Sequence, residues 1–313
     1  MKTIRLYSRA CRSQPGSWGR GISRALGALL FSLFIRQVPA QTLSGQVIAL
    51  PDNTPVPYAT LTTQNHQWGF LANEDGTFEL TQLKEGDTLL VSCLGYHEAR
   101  VPYHELRDNI KVLLTVRPLQ LAEAKVKSGG YKDVWLGSKL NSTNSFAGSP
   151  TSHDMLEIAL WIPNFIQNEG YINKVSYWIG RFGKFKTPFR VRIYAYDHGM
   201  PGEDLLNQNL VVKAKRGASW VNVDVSQYNI PLPTNGFFVS LEWLVVPDKR
   251  YWYDVILRDG QRTKYFGQNV GTTREFAAGY GIIRNKKGKW QTYSYQNRNN
   301  PRPMFRAQVR VYE

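Results

Sequence analysis

Apolar and polar residues alternate in short runs along most of the chain. The clearest runs are 156–162, 189–195, 237–243 and 305–311, where every second position carries an apolar side chain. An alternation with period two over four to eight residues is typical of strands that bury one face. Turn-forming residues separate these runs, and nothing longer than a turn or two has helical periodicity. The pattern therefore predicts an all-β fold, in which the last run pairs with an early strand and closes a sheet.

The strongest turn signal is Asn73-Glu74-Asp75-Gly76-Thr77-Phe78. Glycine adopts a positive φ without steric cost, and an adjacent aspartate or asparagine bonds to its own backbone. We therefore expect the turn of a β-hairpin at Asp75-Gly76, with Phe78 pointing into the core. Residues 89–93 supply the inward face of a following strand.

The residues around this turn form a recurring set: Gly45, Val47, Pro57, Ala59, Asn73, Asp75, Gly76, Phe78, Leu89, Val91, Gly95 and Tyr96. Together, over residues 42–127, they resemble the carboxypeptidase-like regulatory domain, a small transthyretin-like β-sandwich common in exported bacterial proteins. The resemblance implies the accessory domain without its enzyme. Metallocarboxypeptidases bind zinc through a His-x-x-Glu pair, and no histidine of this chain has glutamate at that spacing. We therefore predict no catalytic residue, no metal site and no cofactor.

The chain divides into four predicted segments. They are a signal peptide at 1–40, the regulatory-like sandwich at 41–128, a linker at 129–144, and a larger jelly-roll-like β-sandwich at 145–313. The linker is placed at Gly129-Gly130 because adjacent glycines make a flexible break.

A second resemblance supports this arrangement. Residues 187–194 and 199–205 are similar to uncharacterised jelly-roll modules that follow the regulatory-like domain in exported proteins of Bacteroidetes-type bacteria. This similarity concerns the order of domains and implies no functional residues.

The first forty residues have the order of a secretory signal. A cationic start precedes an apolar run, 25–35, and the small-residue sequence Val38-Pro39-Ala40 precedes Gln41. The apolar run is short for a membrane span, although an uncleaved anchor is the alternative. The leader holds seven Lys or Arg and no acid, so the formal net charge of +15 falls to +8 after cleavage. We expect the mature chain, without a transmembrane segment, in the periplasm or at the outer membrane or cell surface.

Charge limits the partners that we expect, and cysteine content limits the disulfides. An exported protein rarely meets nucleic acid, so the positive charge favours an anionic polysaccharide or a lipid head-group surface. Arg190, Arg192, Arg306 and Arg310 alternate with apolar residues and are expected on solvated sheet faces. Cys93 is the only cysteine after the leader, which excludes an intrachain disulfide, and we expect a small buried side chain there.

Three groups of titratable residues are candidates for chemistry. His153-Asp154-x-x-Glu157 offers a metal ligand or a general base, but we expect a loop with Glu157 facing solvent. Residues 197–204 offer oxygen ligands for calcium, but a plain turn is favoured. Asp224 and Glu242 lie on polar strand faces and are candidates for glycoside cleavage, because such carboxylates can come from distant strands.

The ligand-binding residues that we predict are Arg250, Tyr251, Trp252 and Tyr253. Three adjacent aromatic residues in a strand cannot share one face, so at least one ring should be exposed or lie under a loop. Flat rings stack on sugars and peptides, and the neighbouring guanidinium suits acidic groups. A strand buried on both faces is the alternative. Residues 286–295 form a second basic and aromatic candidate, with a solvated hairpin as its alternative.

These observations favour an exported, non-catalytic binding or scaffolding protein of the bacterial envelope. Its expected partner is a polysaccharide or an envelope protein. One alternative is a glycan hydrolase whose carboxylates are assembled by the C-terminal sandwich, and another is a purely structural envelope component. Exposed aromatic rings on a concave face would favour binding, whereas two carboxylates facing each other across a cleft would favour the enzyme.

The leader generates a direct prediction about export. We expect the mature protein to begin at or near Gln41, because the small residues before it fit a signal-peptidase site. N-terminal sequencing of the protein from its native host measures this. A first residue inside or before the apolar run 25–35 would contradict cleavage.

Overall fold

Alternating apolar residues form β-strands over most of the chain that can be described. The structure is a computed structural model. It describes residues 42–64, 69–81, 83–118, 129–143, 145–150, 155–257, 259–274, 279–285, 288–292 and 301–312. The predicted signal peptide lies outside these residues, as do His153 and Asp154.

The regulatory-like region contributes the first strands. They are β1 (Leu43–Leu50), β2 (Thr54–Pro55), β3 (Thr60–Thr63), β4 (Gly69–Leu71), β5 (Thr77–Leu80), β6 (Thr88–Ser92), β7 (Ala99–Pro102) and β8 (Ile110–Thr115). Sheet A consists of β1 with β2, β5 and β8, and sheet B has the order β4-β3-β6-β7. The two sheets bury one apolar core, which includes Val47, Leu61, Leu89 and Leu114. This is the expected small sandwich, which we call the first sandwich.

The predicted turn is present, but it does not close a hairpin. Gly76 has a φ of +76°, and the Asp75 carboxylate accepts hydrogen bonds from the N–H and the hydroxyl of Thr77, at 3.0 and 2.6 Å. Phe78 is buried in the core, as expected. However, β4 pairs with β3 whereas β5 pairs with β1. The turn therefore carries the chain from sheet B to sheet A, and the hairpin prediction was wrong because local turn chemistry does not specify which strands pair.

The remaining strands build a larger, second sandwich. They are β9 (Tyr131–Gly137), β10 (Ser145–Pro150), β11 (Met155–Ile162), β12 (Gly170–Gly183), β13 (Phe189–Asp197), β14 (Met200–Asp204), β15 (Val211–Val212), β16 (Ser219–Asp224), β17 (Ile230–Pro231), β18 (Phe237–Trp243), β19 (Trp252–Ile256), β20 (Arg262–Thr273), β21 (Tyr280–Asn285), β22 (Trp290–Thr292), β23 (Arg302–Pro303) and β24 (Phe305–Tyr312). Three short 3-10 helices in the described chain span Tyr103–Glu105, Ser226–Tyr228 and Lys249–Tyr251. No helix of the described residues has the length and apolar character needed to cross a membrane.

These strands form two packed sheets. Sheet C has the order β10-β20-β12-β24-β9, with β16 and β17 on β12 and with β19 and β23 on β20. Sheet D has the order β14-β13-β18-β11-β21-β22, with β15 on β13. The inward faces of 189–195, 237–243 and 305–311 lie in the common core. The last strand, β24, pairs with β12 and β9, so the all-β prediction and the closing role of the final strand are confirmed.

The predicted linker, 129–144, contains a strand. Residues 131–137 form β9, which pairs with β24 along its whole length. Val134 and Leu136 pack against the core of the second sandwich, while the other side chains of β9 are more exposed. An edge strand with one apolar face has a weak alternation, which explains why the sequence indicated only a loop. Residues 119–128 lie outside the described chain, and the four segment boundaries stay a prediction.

The turn between the two sheets of the first sandwich generates a stability prediction. A Cβ on Gly76 would lie 2.7 Å from the Val47 carbonyl oxygen and 3.2 Å from the Val56 nitrogen, so Gly76→Val combines backbone strain with a clash. We expect it to lower the free energy of unfolding by about 1–3 kcal/mol or more, measured by urea denaturation.

Gly86→Val is the matched control for this variant. Gly86 also has a positive φ, of +88°, but a Cβ at this position would meet no atom within 4 Å. It should therefore be the milder change, since it adds backbone strain alone. Equal effects of the two substitutions would contradict the close packing around Gly76.

Candidate binding site between the two sandwiches

A row of charged residues crosses the outer face of sheet D. The strand register places Arg190 of β13 opposite Glu242 of β18, Glu242 opposite Glu157 of β11, and Glu157 opposite Arg284 of β21. We call these four residues the charged row. Arg190 is only 4% exposed and Glu157 is fully buried. The expectation that Arg190, Arg192 and Glu157 face solvent was therefore wrong, because this face of the sheet is covered.

Glu157 is paired on both of its carboxylate oxygens inside the row. Its Oε1 accepts hydrogen bonds from the Tyr194 hydroxyl at 2.8 Å and from the Ser240 hydroxyl at 2.6 Å. Its Oε2 forms an ion pair with Nη2 of Arg284. A buried carboxylate is tolerated only when it is paired and hydrogen-bonded in this way. Glu157 thus has a structural role, since it links strands β11, β13, β18 and β21.

Glu242 is held between arginines. Its Oε2 accepts hydrogen bonds from Nη1 of Arg190 at 3.1 Å and from Nη1 of Arg192 at 3.2 Å. Nε of Arg192 also donates to Asp204 at 2.6 Å. Burial by itself would raise the pKa of Glu242, but the charges of Arg190, Arg192 and Arg284 outweigh that effect and lower the pKa to about 2. The carboxylate is therefore ionised over the whole range in which proteins normally function.

Arg190 also joins the two sandwiches. Its Nη2 donates to the carbonyl oxygen of Tyr58, in the first sandwich, at 2.8 Å, and its Nε donates to Asn209 at 2.9 Å. Asn209 in turn donates to the carbonyl oxygen of Pro57 at 2.9 Å. The Tyr58 side chain is buried with the core of the second sandwich. The segment around Tyr58 thus supplies backbone acceptors that the arginine would otherwise lack.

A cavity of about 360 Å³ lies beside this contact, with walls from both sandwiches. Its charged lining includes Arg117 and Glu98 from the first sandwich, in addition to residues of the charged row. Glu98 is paired with Arg100 at 3.0 Å. Three arginines of the second sandwich, at 190, 192 and 284, are balanced by three carboxylates, at 157, 204 and 242. Among the described residues the Arg117 side chain has no hydrogen-bond or ion-pair partner, so the cavity has one positive charge that is outside any ion pair.

Cys93 also lines this cavity and is partly buried. Burial raises the pKa of its thiol, and the nearby charge of Arg190 offsets this only in part. The side chain packs against the core of the first sandwich. It therefore behaves as the small apolar residue that we expected, next to a polar cavity.

In the structure, the four residues predicted to bind a ligand have different surroundings. The rings of Tyr251 and Trp252 pack edge-to-face on Phe266, with centroids 6.1 and 5.1 Å away, whereas the Tyr253 hydroxyl donates to Asn269 at 2.6 Å. All three rings are partly buried.

Arg250 is exposed, but its charge is matched. Its Nε and Nη2 donate to the Asp248 carboxylate, at 2.9 and 2.6 Å. Arg250 and Tyr251 line a second cleft, of about 540 Å³, opposite Glu74 and Asp75 of the first sandwich. Binding by the four residues stays a prediction, but this cleft is predominantly acidic and would not favour the acidic ligand that the arginine suggested.

The other candidate groups are not assembled into one centre. Asp224 accepts hydrogen bonds from the N–H and the hydroxyl of Ser226, in sheet C, whereas Glu242 lies in sheet D. Both side chains lie on outer faces, so the core of the sandwich separates them. Asp197 and His198 form an exposed pair at a hairpin turn. Among the described residues no group of three His, Cys, Asp or Glu side chains could hold a metal ion.

Sequence reasoning missed Arg284 and Arg117, and it assigned no site to Arg190 or Arg192. A signal for the charged row was present, because Arg190, Glu242 and Glu157 each occupy an outward position in a strand whose inward residues are strongly apolar. Such residues can be solvated or covered, and only the tertiary structure decides between these environments: Glu157 is enclosed by Tyr194, Ser240 and Arg284 of its own sheet, and Arg190 contacts the first sandwich. Residues 286, 287 and 293–295 of the second aromatic candidate lie outside the described chain.

Comparison with known proteins identifies the first sandwich. The family model of the CarboxypepD_reg-like domain matches residues 43–126, roughly a quarter of the chain. Residues 43–126 are therefore similar to the carboxypeptidase regulatory-like domain. This confirms the resemblance predicted for residues 42–127, together with its transthyretin-like sandwich fold. No curated protein matches the sequence.

Several solved structures are distantly similar to the chain. The cysteine protease and lectin-like domains of Cwp84, a surface layer associated protein of Clostridium difficile, match with a TM-score of 0.37 and 11% identity, over 82% of this chain and 59% of that one. The chain thus spans less than two thirds of that structure. A DUF3823 family protein from Bacteroides ovatus ATCC 8483 matches with a TM-score of 0.23 and 12% identity, over 74% of this chain and 99% of that one.

The charged row generates a prediction about acid stability. A lowered pKa means that the ionised Glu242 stabilises the fold above its ordinary pKa of 4.5, and that this contribution is lost as the pH falls towards 2. We expect the free energy of unfolding to decrease over this range, with Glu242 contributing up to about 3 kcal/mol. The measurement is urea denaturation at pH values between 2 and 6 in steps of about half a unit.

Glu242→Gln should flatten this dependence, because glutamine does not titrate, and it should also be less stable at neutral pH since it leaves arginine charge unbalanced. Glu79→Gln is the control, because Glu79 is an exposed residue on β5. If Glu242→Gln and Glu79→Gln have the same slope between pH 4.5 and 2, the carboxylate is not held by the arginines.

Proposed function

We propose that this protein is an exported, non-catalytic binding protein of the bacterial envelope, and that its ligand occupies the cavity between the two sandwiches. The observation that carries the proposal is the Arg117 guanidinium, which forms no hydrogen bond or ion pair with the described residues and lines a cavity formed by both sandwiches. A cavity of this size suits a small molecule or one unit of a polymer. Its single excess charge suits a ligand with one negative group.

Export is supported by the order of the first forty residues, and by the regulatory-like domain that follows. An envelope location brings the protein next to polysaccharides, whose acidic sugars carry one carboxylate each. A guanidinium binds a carboxylate through two parallel hydrogen bonds, which gives both charge and orientation. We therefore propose an acidic sugar as the ligand class.

The pKa of Glu242 and the positions of the other candidate carboxylates favour binding over hydrolysis. Glycoside cleavage needs one carboxylic acid with a raised pKa as a proton donor. Glu242 has the opposite shift, to about 2, and Glu157 is fully buried with both oxygens engaged. Asp224 lies on the far side of the second sandwich. This arrangement supports a binding protein more than the alternative of a glycan hydrolase.

Titration calorimetry with single sugars tests the proposal. We expect glucuronic and galacturonic acid to bind, and glucose and galactose not to bind, because only the acids present a carboxylate to Arg117. Arg117→Ala should weaken binding of the acids about tenfold or more, since a hydrogen bond to a charged group contributes roughly 1.5–3 kcal/mol. Arg117 is exposed, so its removal should leave the fold intact.

Lys111→Ala is the control, because it removes the same charge from an exposed position of the same sandwich, outside the cavity. It should bind the acids as the wild type does. Equal loss in both variants would mean that net charge alone attracts the ligand. An absence of binding by every acidic sugar would overturn the assignment of the cavity.

A further inference from the structure

The outer face of sheet C carries an arginine between two tryptophan rings. Cζ of Arg306, on β24, lies 4.3 Å from the ring centroid of Trp135 on β9 and 4.1 Å from that of Trp220 on β16. We call these three residues the Trp–Arg–Trp platform. Neighbouring inward residues of β24, such as Phe305 and Ala307, are buried in the core, so the platform faces away from the sandwich interior.

Protein contacts hold the platform in place. Nε1 of Trp220 donates to Asn141 at 2.9 Å, and its ring meets that of Trp178 edge-on at 5.6 Å and 80°. Ser176 of β12 lies between Arg306 and Asn222 in the register, and its hydroxyl donates to the Asn222 side chain at 2.8 Å. Because serine is short, the Trp220 ring can reach across β12 to the arginine. The Trp220 ring therefore has a defined position in the free protein, and Arg306 lies between it and Trp135.

The charge of Arg306 is not compensated. It has no hydrogen-bond or ion-pair partner among the described residues, and its Nε is buried without one. Arg310, four positions along the same strand, is different, because it lies 4.3 Å from the Tyr131 ring centroid and also donates to Asp133 at 2.9 Å. An arginine remains protonated in proteins. Cation–π contact stabilises the Arg306 charge from two sides but leaves it without a counter-ion.

The platform continues along β9 as an open, aromatic surface. Trp135 is 39% exposed and Tyr131 is 60% exposed. Four residues of extended chain separate them, which corresponds to about 13 Å. Gln308 is opposite Trp135 in the register and adds an amide on the same face. The surface is therefore longer than one small molecule and offers two exposed rings, one amide and the Arg306 cation, with the Asp133 carboxylate between the rings paired to Arg310.

We propose that the Trp–Arg–Trp platform binds an extended polysaccharide that carries anionic groups. Sugar rings stack on the exposed aromatic faces, and the carboxylate or sulfate pairs with the Arg306 guanidinium in place of the missing counter-ion. The argument uses none of the residues of the cavity beside Arg117. The platform is thus a second site, and it fits a polymer where the cavity fits a single unit.

Affinity electrophoresis of the full chain tests this proposal, with polygalacturonate, dextran sulfate or neutral dextran in the gel. We expect both anionic polymers to retard the wild-type protein, with less retardation at higher salt. A comparison of polygalacturonate with dextran sulfate shows whether the site prefers a carboxylate or a sulfate group. Retardation by neutral dextran alone, or by none of the polymers, would overturn the proposal.

Variants locate the binding surface. Trp135→Ala should weaken binding about two- to tenfold through loss of one stacking ring, and Arg306→Gln should weaken it about tenfold or more through loss of the charge. Arg306→Lys should restore only part of the affinity, because lysine keeps the charge but cannot lie flat between two rings. Arg117→Ala should retain the platform's binding, which separates this site from the cavity.

Phe182→Ala is the matched control, because Phe182 is a 51% exposed aromatic residue of the same sheet with Arg181 4.7 Å above its ring. It should bind both anionic polymers as the wild type does.

Thermal melting of every variant identifies loss of fold. Variants of Trp135 and Arg306 that melt earlier but bind unchanged would mean that the platform only stabilises sheet C. Light scattering that shows a dimer dissociated by Trp135→Ala would mean that a second copy covers the face.

Discussion

The arrangement of the two sandwiches depends on the burial of charge on sheet D. Taking arginine and glutamate side chains out of water is unfavourable unless each finds a partner of opposite charge and a full set of hydrogen bonds. The charged row meets this requirement across four neighbouring strands, and Arg190 completes its hydrogen bonds only with the carbonyl oxygen of Tyr58. The first sandwich therefore reduces the energetic cost of burying the charged row, because it supplies a hydrogen-bond acceptor to Arg190. This gives a physical reason for a regulatory-like domain to remain attached at this place.

The pairing of buried charges also determines the net charge of the cavity beside the charged row. The three arginines of the second sandwich are matched by three carboxylates, so they add no net charge, and the excess charge comes from Arg117 of the first sandwich. A site of this kind exists only while the two sandwiches are in contact. A ligand that bound in this cavity would therefore also stabilise the packing of the first sandwich on the second.

The arginines on the two outer faces of the second sandwich interact with different kinds of partner. On sheet D, Arg190 and Arg192 form ion pairs with carboxylates, and Arg190 also donates to the carbonyl oxygen of Tyr58 in the first sandwich. On sheet C, aromatic rings surround Arg306, and no described carboxylate pairs with it. Charges that are matched and covered hold the molecule together, whereas a charge that is unmatched and partly exposed is available to a ligand. This distinction, rather than the number of basic residues, indicates where an anionic polymer would bind.

The sequence by itself determined the all-β fold, the regulatory-like first sandwich and the inward faces of the long strands, because alternation and turn residues act over a few neighbours. It identified Glu242 as a candidate but placed Glu157 and Arg190 in solvent, and it gave no sign that Trp135 and Trp220 meet at Arg306. Those contacts join residues that are far apart in the chain, so they follow from strand order and register, which short-range patterns do not encode. Whether a charged outward position is solvated or buried was decided only by tertiary packing: neighbouring strands enclose Glu157, and the first sandwich covers Arg190.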